Sequence, residues 1–176
     1  GAGVEGLAPG DRVMASGRGG FAEATVASAA GVVRIPDGMS FDQAAGLSLA
    51  HLTAWRMLMT RARLRPGETV LIHGIGGGVA VAGLQLARLI GAEVIATSSS
   101  NAKCRRAAEL GAAHTIDYRQ TPDVATAVRN FTDGQGVDGV MDTVGAATWQ
   151  TNFDAVRRGG RIVHCGVTTG AQATVS

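Results

Sequence analysis

The stretch Thr69-Val70-Leu71-Ile72-His73-Gly74-Ile75-Gly76-Gly77-Gly78-Val79-Ala80 constrains this chain more than any other. An apolar, β-branched run enters a glycine cluster, and the cluster opens a helical segment from Val79 to Leu89. A second apolar run, Glu93 to Thr97, follows at once. Strand, glycine turn, helix and strand within roughly 30 residues is the size of one dinucleotide-binding βαβ unit. Glycine lacks Cβ, so its backbone can turn tightly and come close to a pyrophosphate. The helix beyond aims its unpaired N–H groups and the positive end of its dipole at such an anion. Gly74, Gly77 and Ala80 fall at the spacing G-x-x-G-x-x-A, overlapped by Gly76 and Gly78. Ala80 is small enough for helix and strand to pack closely. The competing reading of these glycines is a structural turn that binds nothing.

Downstream, strands and helices alternate. Lys103 to Leu110 reads as a helix ended by Gly111, and Ala113 to Asp117 as a strand. A helix from Asp123 to Phe131 leads to a strand over Val137 to Asp142. A helix from Ala146 to Val156, stopped by Gly159-Gly160, leads to a strand over Arg161 to Cys165. This alternation predicts an α/β fold, a doubly wound parallel sheet with helices on both faces. Its ligand crevice lies at the ends of the first and fourth sheet strands. No candidate for a sixth strand follows.

The part before the sheet reads differently. Three short strands are expected within Gly6 to Met14, Gly19 to Val26 and Val32 to Ile35, separated by turns. They are too few and short for a stable sheet of their own, so this part reads as the end of a β domain. Ser40 and Gln43 form a capping box for a helix that runs on towards Thr60, with Leu49, Leu52, Met57 and Leu58 as core positions.

Composition excludes several function classes. The formal charge is +2, with no basic stripe and no aromatic platform, which argues against nucleic acid as a partner. Apolar runs are broken by Gly, Arg or Glu, so no membrane span is expected, and no charged-then-apolar targeting signal opens the chain. Cys104 and Cys165 are far apart, which points to a reducing cytoplasm and no metal knuckle. Cys165 follows a strand and is expected to be a buried small apolar residue. No Ser/His/Asp, Cys/His or paired-carboxylate pattern supports a hydrolase, and no proton donor stands out.

The second strand end carries the cofactor signal. An NAD site usually places Asp or Glu there for the ribose 2′-OH. Ala96 to Lys103 contains no carboxylate; Ser98, Ser99, Ser100 and Lys103 suit a 2′-phosphate, so NADPH is expected over NADH. The same serines also read as the cap of the next helix, and both roles are compatible. Val144 and Gly145, after the fourth sheet strand, and Gly166, Val167 and Thr168, after the fifth, are expected to line the nicotinamide end. Asp142 reads equally as a turn acceptor or a ligand contact.

Taken together, Gly10-Asp11-Arg12-Val13, Gly20-Phe21-Ala22-Glu23, Ile35-Pro36-Asp37-Gly38, Leu52-Thr53-Ala54-Trp55, Pro66-Gly67-Glu68-Thr69-Val70-Leu71, Gly74 to Ala80, Glu109-Leu110-Gly111-Ala112, Asp142-Thr143-Val144-Gly145 and Gly159-Gly160-Arg161 resemble the medium-chain dehydrogenase/reductase superfamily, in its zinc-free quinone oxidoreductase and enoyl reductase branch. The resemblance implies a Rossmann-type cofactor domain over 46–176, incomplete at its C-terminus. Before it, over 1–45, comes the end of a GroES-like catalytic domain. Members run to about twice this length, so the chain is expected to be a middle fragment.

The resemblance also implies site roles. Thr53 matches a threonine near the nicotinamide, with a helix hydroxyl bonded to backbone as its other reading. Lys103 and Tyr118 match residues that contact the 2′-phosphate, and Gly74, Gly76, Gly77, Gly78 and Val79 form the phosphate loop. The cysteine lobe common in zinc enzymes has no counterpart, and Leu49 stands where their third zinc ligand would fall, so no metal is expected. His51 is read as a packing or substrate-side residue. The implied activity is hydride transfer from NADPH to a quinone or α,β-unsaturated carbonyl, by a full-length homodimer. Alternatives are a zinc-type alcohol dehydrogenase with ligands outside this chain, a non-catalytic NADPH-binding module, or the enoyl reductase module of a synthase. The Trp55-Arg56-Met57-Leu58 segment and short linkers lean towards a stand-alone enzyme.

Overall fold

The computed structural model describes residues 3–175. Two compact units divide the chain, one up to Leu52 and one from Thr53 onward.

In the first unit, β1 (Val13–Ala15) and β2 (Val32–Arg34) pair antiparallel, with Met14 opposite Val33. The strand expected within Gly19 to Val26 does not form. Phe21 and Val26 are fully exposed there. An alternating sequence becomes a strand only where a neighbour pairs with its backbone, and no described residue does so. The helix α1 (Phe41–Trp55) starts with the expected capping box: the Ser40 N–H donates to Gln43 Oε1 at 2.9 Å, and the Gln43 N–H donates to Ser40 Oγ at 3.1 Å. Leu49 and Leu52, expected in the core, are exposed at 73% and 62%. Three residues apart, they share one helix face; an apolar pair marks such a face but does not supply its cover.

In the second unit, a π-helical turn over Arg56–Arg61 ends this helical stretch and buries Met57 and Leu58. Five parallel strands follow: β3 (Thr69–Ile72), β4 (Glu93–Ser98), β5 (His114–Asp117), β6 (Val137–Asp142) and β7 (Val156–His164). Their spatial order is β5-β4-β3-β6-β7, a Rossmann-type arrangement whose direction of winding reverses between β3 and β6. Four helices connect them: α2 (Gly78–Leu89), α3 (Asn101–Glu109), α4 (Val124–Phe131) and α5 (Trp149–Ala155).

The continuous apolar runs of the strands bury both faces of the sheet. Leu71, Ile95, Ile116 and Val140 pack with Val124 and Val128 of α4 and Ala155 of α5. The residues between them, including Val70, Ile72, Val94 and Met141, point to the other face and are equally buried. There α2 comes unusually close. A Cβ on Gly83 would stand 2.5 Å from Met141 Sδ and 3.5 Å from Ile72 Cδ1. Ala80 is fully buried, but the residue that sets this helix–sheet separation is Gly83.

The last strand starts earlier than expected. Val156 pairs with Val137, and regular pairing resumes with Arg161 opposite Gly139. Gly159 and Gly160 therefore lie in an irregularity inside β7 rather than at a helix end. The β6 backbone is close enough to exclude a side chain, since a Cβ on Gly160 would meet Asp138 O at 3.0 Å.

Gly83→Val forces two methyl groups into the α2–sheet contact and is expected to lower stability by about 2–3 kcal/mol. Gly46→Ala in α1, where a Cβ meets nothing within 4 Å, is expected to raise it by about 0.5–1 kcal/mol. Urea denaturation of both variants checks the contrast.

Candidate functional site

The site is built from the turn that leaves β3. Gly74 has φ +69°, a backbone that side chains disfavour, and Gly77 closes the turn by donating to Gly74 O at 3.0 Å. Gly76, Gly77 and Gly78 are exposed. Gly77 is the N-cap of α2 and has no side chain to occupy the first-turn N–H groups, so these remain available to an anion.

Thr97 of β4 fixes this turn. Its carbonyl accepts the Ile75 N–H at 2.9 Å. Its hydroxyl lies 3.4 Å from the Gly74 N–H and 3.1 Å from His73 Nδ1. A hydroxyl that accepts from Gly74 can donate to Nδ1, leaving the His73 proton on Nε2. Burial pushes the His73 pKa down, against the opposing pull of Asp142 and Asn152, so the imidazole is neutral near pH 7.

Lys103 brings a cation to the turn. A Cβ on Gly76 would stand 2.8 Å from Lys103 Nζ, so the ammonium lies directly over the loop backbone. Ser100 caps α3, its Oγ 3.5 Å from the Lys103 N–H. Ser98 is buried and Ser99 half-buried at the end of β4. Tyr118 is 45% exposed at the end of β5, and its N–H donates to Ser98 O at 3.0 Å. Arg105 and Arg106 turn to Asn101 and Glu109 of their own helix.

The loops after β6 and β7 form a second cluster beside the first. Val144 approaches the turn: a Cβ on Gly74 would stand 3.4 Å from Val144 Cγ2. The Thr169 N–H donates to Val144 O at 3.0 Å and Thr168 Oγ1 donates to Thr143 O at 3.3 Å, joining the two loops. Gly145 is packed so tightly that a Cβ there would reach Val167 Cα at 3.1 Å. Gly166 and Val167 are exposed at the outer side of this cluster.

Asp142 holds the β6 loop. Its Oδ1 accepts from the N–H groups of Val144 at 2.7 Å and Gly145 at 3.3 Å. Its Oδ2 accepts from Thr148 Oγ1 at 2.8 Å and Asn152 Nδ2 at 2.6 Å. Burial alone would raise this carboxyl, yet the donors on Val144, Asn152 and Thr148 hold it below the usual aspartate range. Asp142 is thus a turn acceptor.

Thr53 lies apart from the glycine turn. It lines a cleft of about 420 Å³ with Arg56, Met57, Arg61, Ile162, Val163, His164 and Cys165. Cys165, expected to be buried, is only half-buried in this wall because it sits at the end of an edge strand. His51 Nδ1 lies 3.2 Å from Leu47 O, one helical turn back. Among the described residues, no group of three His, Cys, Asp or Glu side chains could hold a metal.

Sequence reasoning missed Thr97, His73, Asn152 and Gly83. A glycine inside a helix disfavours that helix by about 1 kcal/mol, so Gly83 carried a detectable packing signal. The hydroxyl and imidazole pair carried none, because Thr97 and His73 are 24 residues apart and meet only through the parallel pairing of β3 and β4.

Comparison with known proteins places this geometry among relatives. Residues 78–176 match the zinc-binding dehydrogenase family. The chain is 42% identical over 164 residues to lovastatin diketide synthase of Aspergillus terreus, covering 92% of this chain and 7% of the synthase. It is 40% identical over 163 residues to a quinone oxidoreductase of Pseudomonas aeruginosa, covering 92% of this chain and 50% of the relative. The structure superposes on Escherichia coli quinone oxidoreductase, crystallised with NADPH, with a TM-score of 0.91 at 32% identity. That superposition covers 100% of this chain and 54% of the other. The chain thus spans about half the length, or far less, of these relatives. No helix among the described residues is long and apolar enough to cross a membrane.

Asp142→Asn leaves its donors facing an amide NH2 and is expected to cost about 2–3 kcal/mol. Because the native carboxyl titrates below its unfolded value, its stabilisation is complete above the unfolded pKa and is lost as pH falls through the native one. Melting temperatures measured from neutral pH into the acid range should therefore fall less steeply for the variant than for the wild type.

Proposed function

The chain belongs to the medium-chain dehydrogenase/reductase superfamily, in its quinone oxidoreductase and enoyl reductase branch, and from this premise we propose that the whole protein is an NADPH-dependent reductase of quinones or α,β-unsaturated carbonyls. The observation that carries the reading is the Lys103 ammonium lying over Gly76 at the uncapped start of α2. Exposed glycine backbone and free first-turn N–H groups form a donor set that fits a dinucleotide pyrophosphate, and the ammonium beside them adds the positive charge that a 2′-phosphate calls for. The β4 end adds Ser99 and Lys103 where an NADH site would place a carboxylate.

The cofactor supplies the hydride, and this chain's part is to bind and orient it. Gly74, Gly76, Gly77, Gly78 and Val79 hold the pyrophosphate. Ser98, Ser99, Lys103 and Tyr118 select the 2′-phosphate end. Val144, Gly145, Gly166, Val167 and Thr168 flank the nicotinamide, and Thr53 lines the neighbouring approach to it. The exchange needs no zinc from this chain, where Leu49 occupies the position of a ligand.

A second reading is an enoyl reductase unit within a larger synthase, favoured by the 42% identity to the diketide synthase. Both readings use the same cofactor site and differ in the length of the whole protein and in whether its enone is carried on a partner domain.

NADPH oxidation by the full-length protein should accelerate on adding a quinone or enone, with no stoichiometric zinc in the purified enzyme. A stoichiometric catalytic zinc, or no turnover of either acceptor class, would contradict the proposal. Lys103→Glu is expected to weaken NADPH binding at least tenfold while changing NADH binding little, because charge-assisted hydrogen bonds contribute about 1.5–3 kcal/mol. Nucleotide fluorescence titration checks this; equal losses for both nucleotides would remove Lys103 from the 2′-phosphate site.

A further inference from the structure

At the end of the sheet opposite the glycine turn, a cavity of about 550 Å³ is lined by Arg61, Arg63, Arg65, Arg157 and Arg161, with Thr60, Ala62 and Glu68. Val70, Gly139 and Arg161 lie abreast in neighbouring strands. Gly74 is four residues further along the chain, which separates the two places by roughly 13 Å. The cavity therefore lies apart from the glycine turn, although Arg61 also borders the Thr53 cleft.

Its charges are not balanced. Glu68 is the only carboxylate residue in the lining, and it pairs with Arg161. Arg157 pairs with Asp138 at 2.6 Å. No carboxylate among the described residues pairs with Arg61, Arg63 or Arg65. The segment that carries these three is held in place. Arg161 Nε donates to Ala62 O at 2.8 Å, and Glu68 Oε2 accepts the Arg65 N–H at 2.9 Å. Arg63 itself has a left-handed backbone, φ +50°. Like charges gathered on a fixed concave wall repel one another, and an anion with several negative oxygens relieves that repulsion.

We propose that this cavity binds a small polyphosphorylated molecule, with Arg61, Arg63 and Arg65 as its principal ligands. Guanidinium groups present paired donors that match phosphate oxygens. Arg61, Arg63 and Arg65 are exposed, so their guanidinium groups are reachable from solvent. The lining holds no aromatic side chain, so no base can stack, and the ligand is recognised through its phosphates alone.

The test is calorimetric titration of the full-length protein with inorganic tripolyphosphate, beside orthophosphate. The wild type should bind tripolyphosphate saturably and at least tenfold more tightly than orthophosphate. Arg61→Gln, Arg63→Asn and Arg65→Gln together should weaken binding at least tenfold, and each alone severalfold; asparagine replaces Arg63 because it tolerates that backbone. Lys103→Glu, at the glycine turn, should leave the affinity within twofold. The single variants keep the test decisive if the combined one fails to fold. No saturable binding by the wild type, undiminished binding by the arginine variants, or loss on Lys103→Glu instead would each overturn the proposal. None of these outcomes depends on which acceptor the reductase uses.

Discussion

The proposed nucleotide site depends on how Thr97 grips the chain leaving β3. Two backbone N–H groups, of Gly74 and Ile75, turn towards this one residue of the neighbouring strand, and His73 closes on its hydroxyl. The turn is exposed on one side and fixed on the other. That combination lets Gly76, Gly77 and Gly78 present bare backbone without the loop losing its direction. The start of α2 is aimed by the same grip, since Gly77 both closes the turn and caps the helix. A flexible glycine loop would lose far more conformational entropy on binding an anion.

A second anchor, Asp142, does for the β6 loop what Thr97 does for the β3 turn. A buried carboxylate is tolerated because four donors converge on it, and those donors come from both the loop and α5. The consequence for function is positional. Val144 is held against Gly74, and the loop after β7 is hydrogen-bonded to the β6 loop in turn. The two ends of the crevice are thus fixed by buried polar groups beneath the surface residues that would touch a ligand.

The β3-turn-α2-β4 unit, the other sheet strands and the capping box were legible in the sequence because their signals are local: apolar runs, glycine punctuation, and Ser40 three residues before Gln43. What was not legible rests on distant pairing. The segment around Phe21 alternates like a strand but has no partner among the described residues. Leu49 and Leu52 look like core residues from their spacing and lie exposed. The start of β7 was displaced because Gly159-Gly160 reads as a helix stop, whereas the approach of β6 requires that glycine pair within a strand. In the candidate site, the glycines and Lys103 that the sequence singles out do come together at the turn. Thr97 and His73, which hold the turn, are ordinary polar residues 24 apart whose role appears only when β3 and β4 are laid side by side, and Asn152 reaches Asp142 from α5.

The glycine turn and the carboxylate-free end of β4 are together proposed as an NADPH site. Its most direct measurement is an equilibrium titration of the full-length wild-type protein with NADPH and with NADH, followed by nucleotide fluorescence. Saturable binding of both, with NADPH tighter by at least tenfold, is the predicted result. Tighter binding of NADH, or saturation by neither nucleotide, would contradict it.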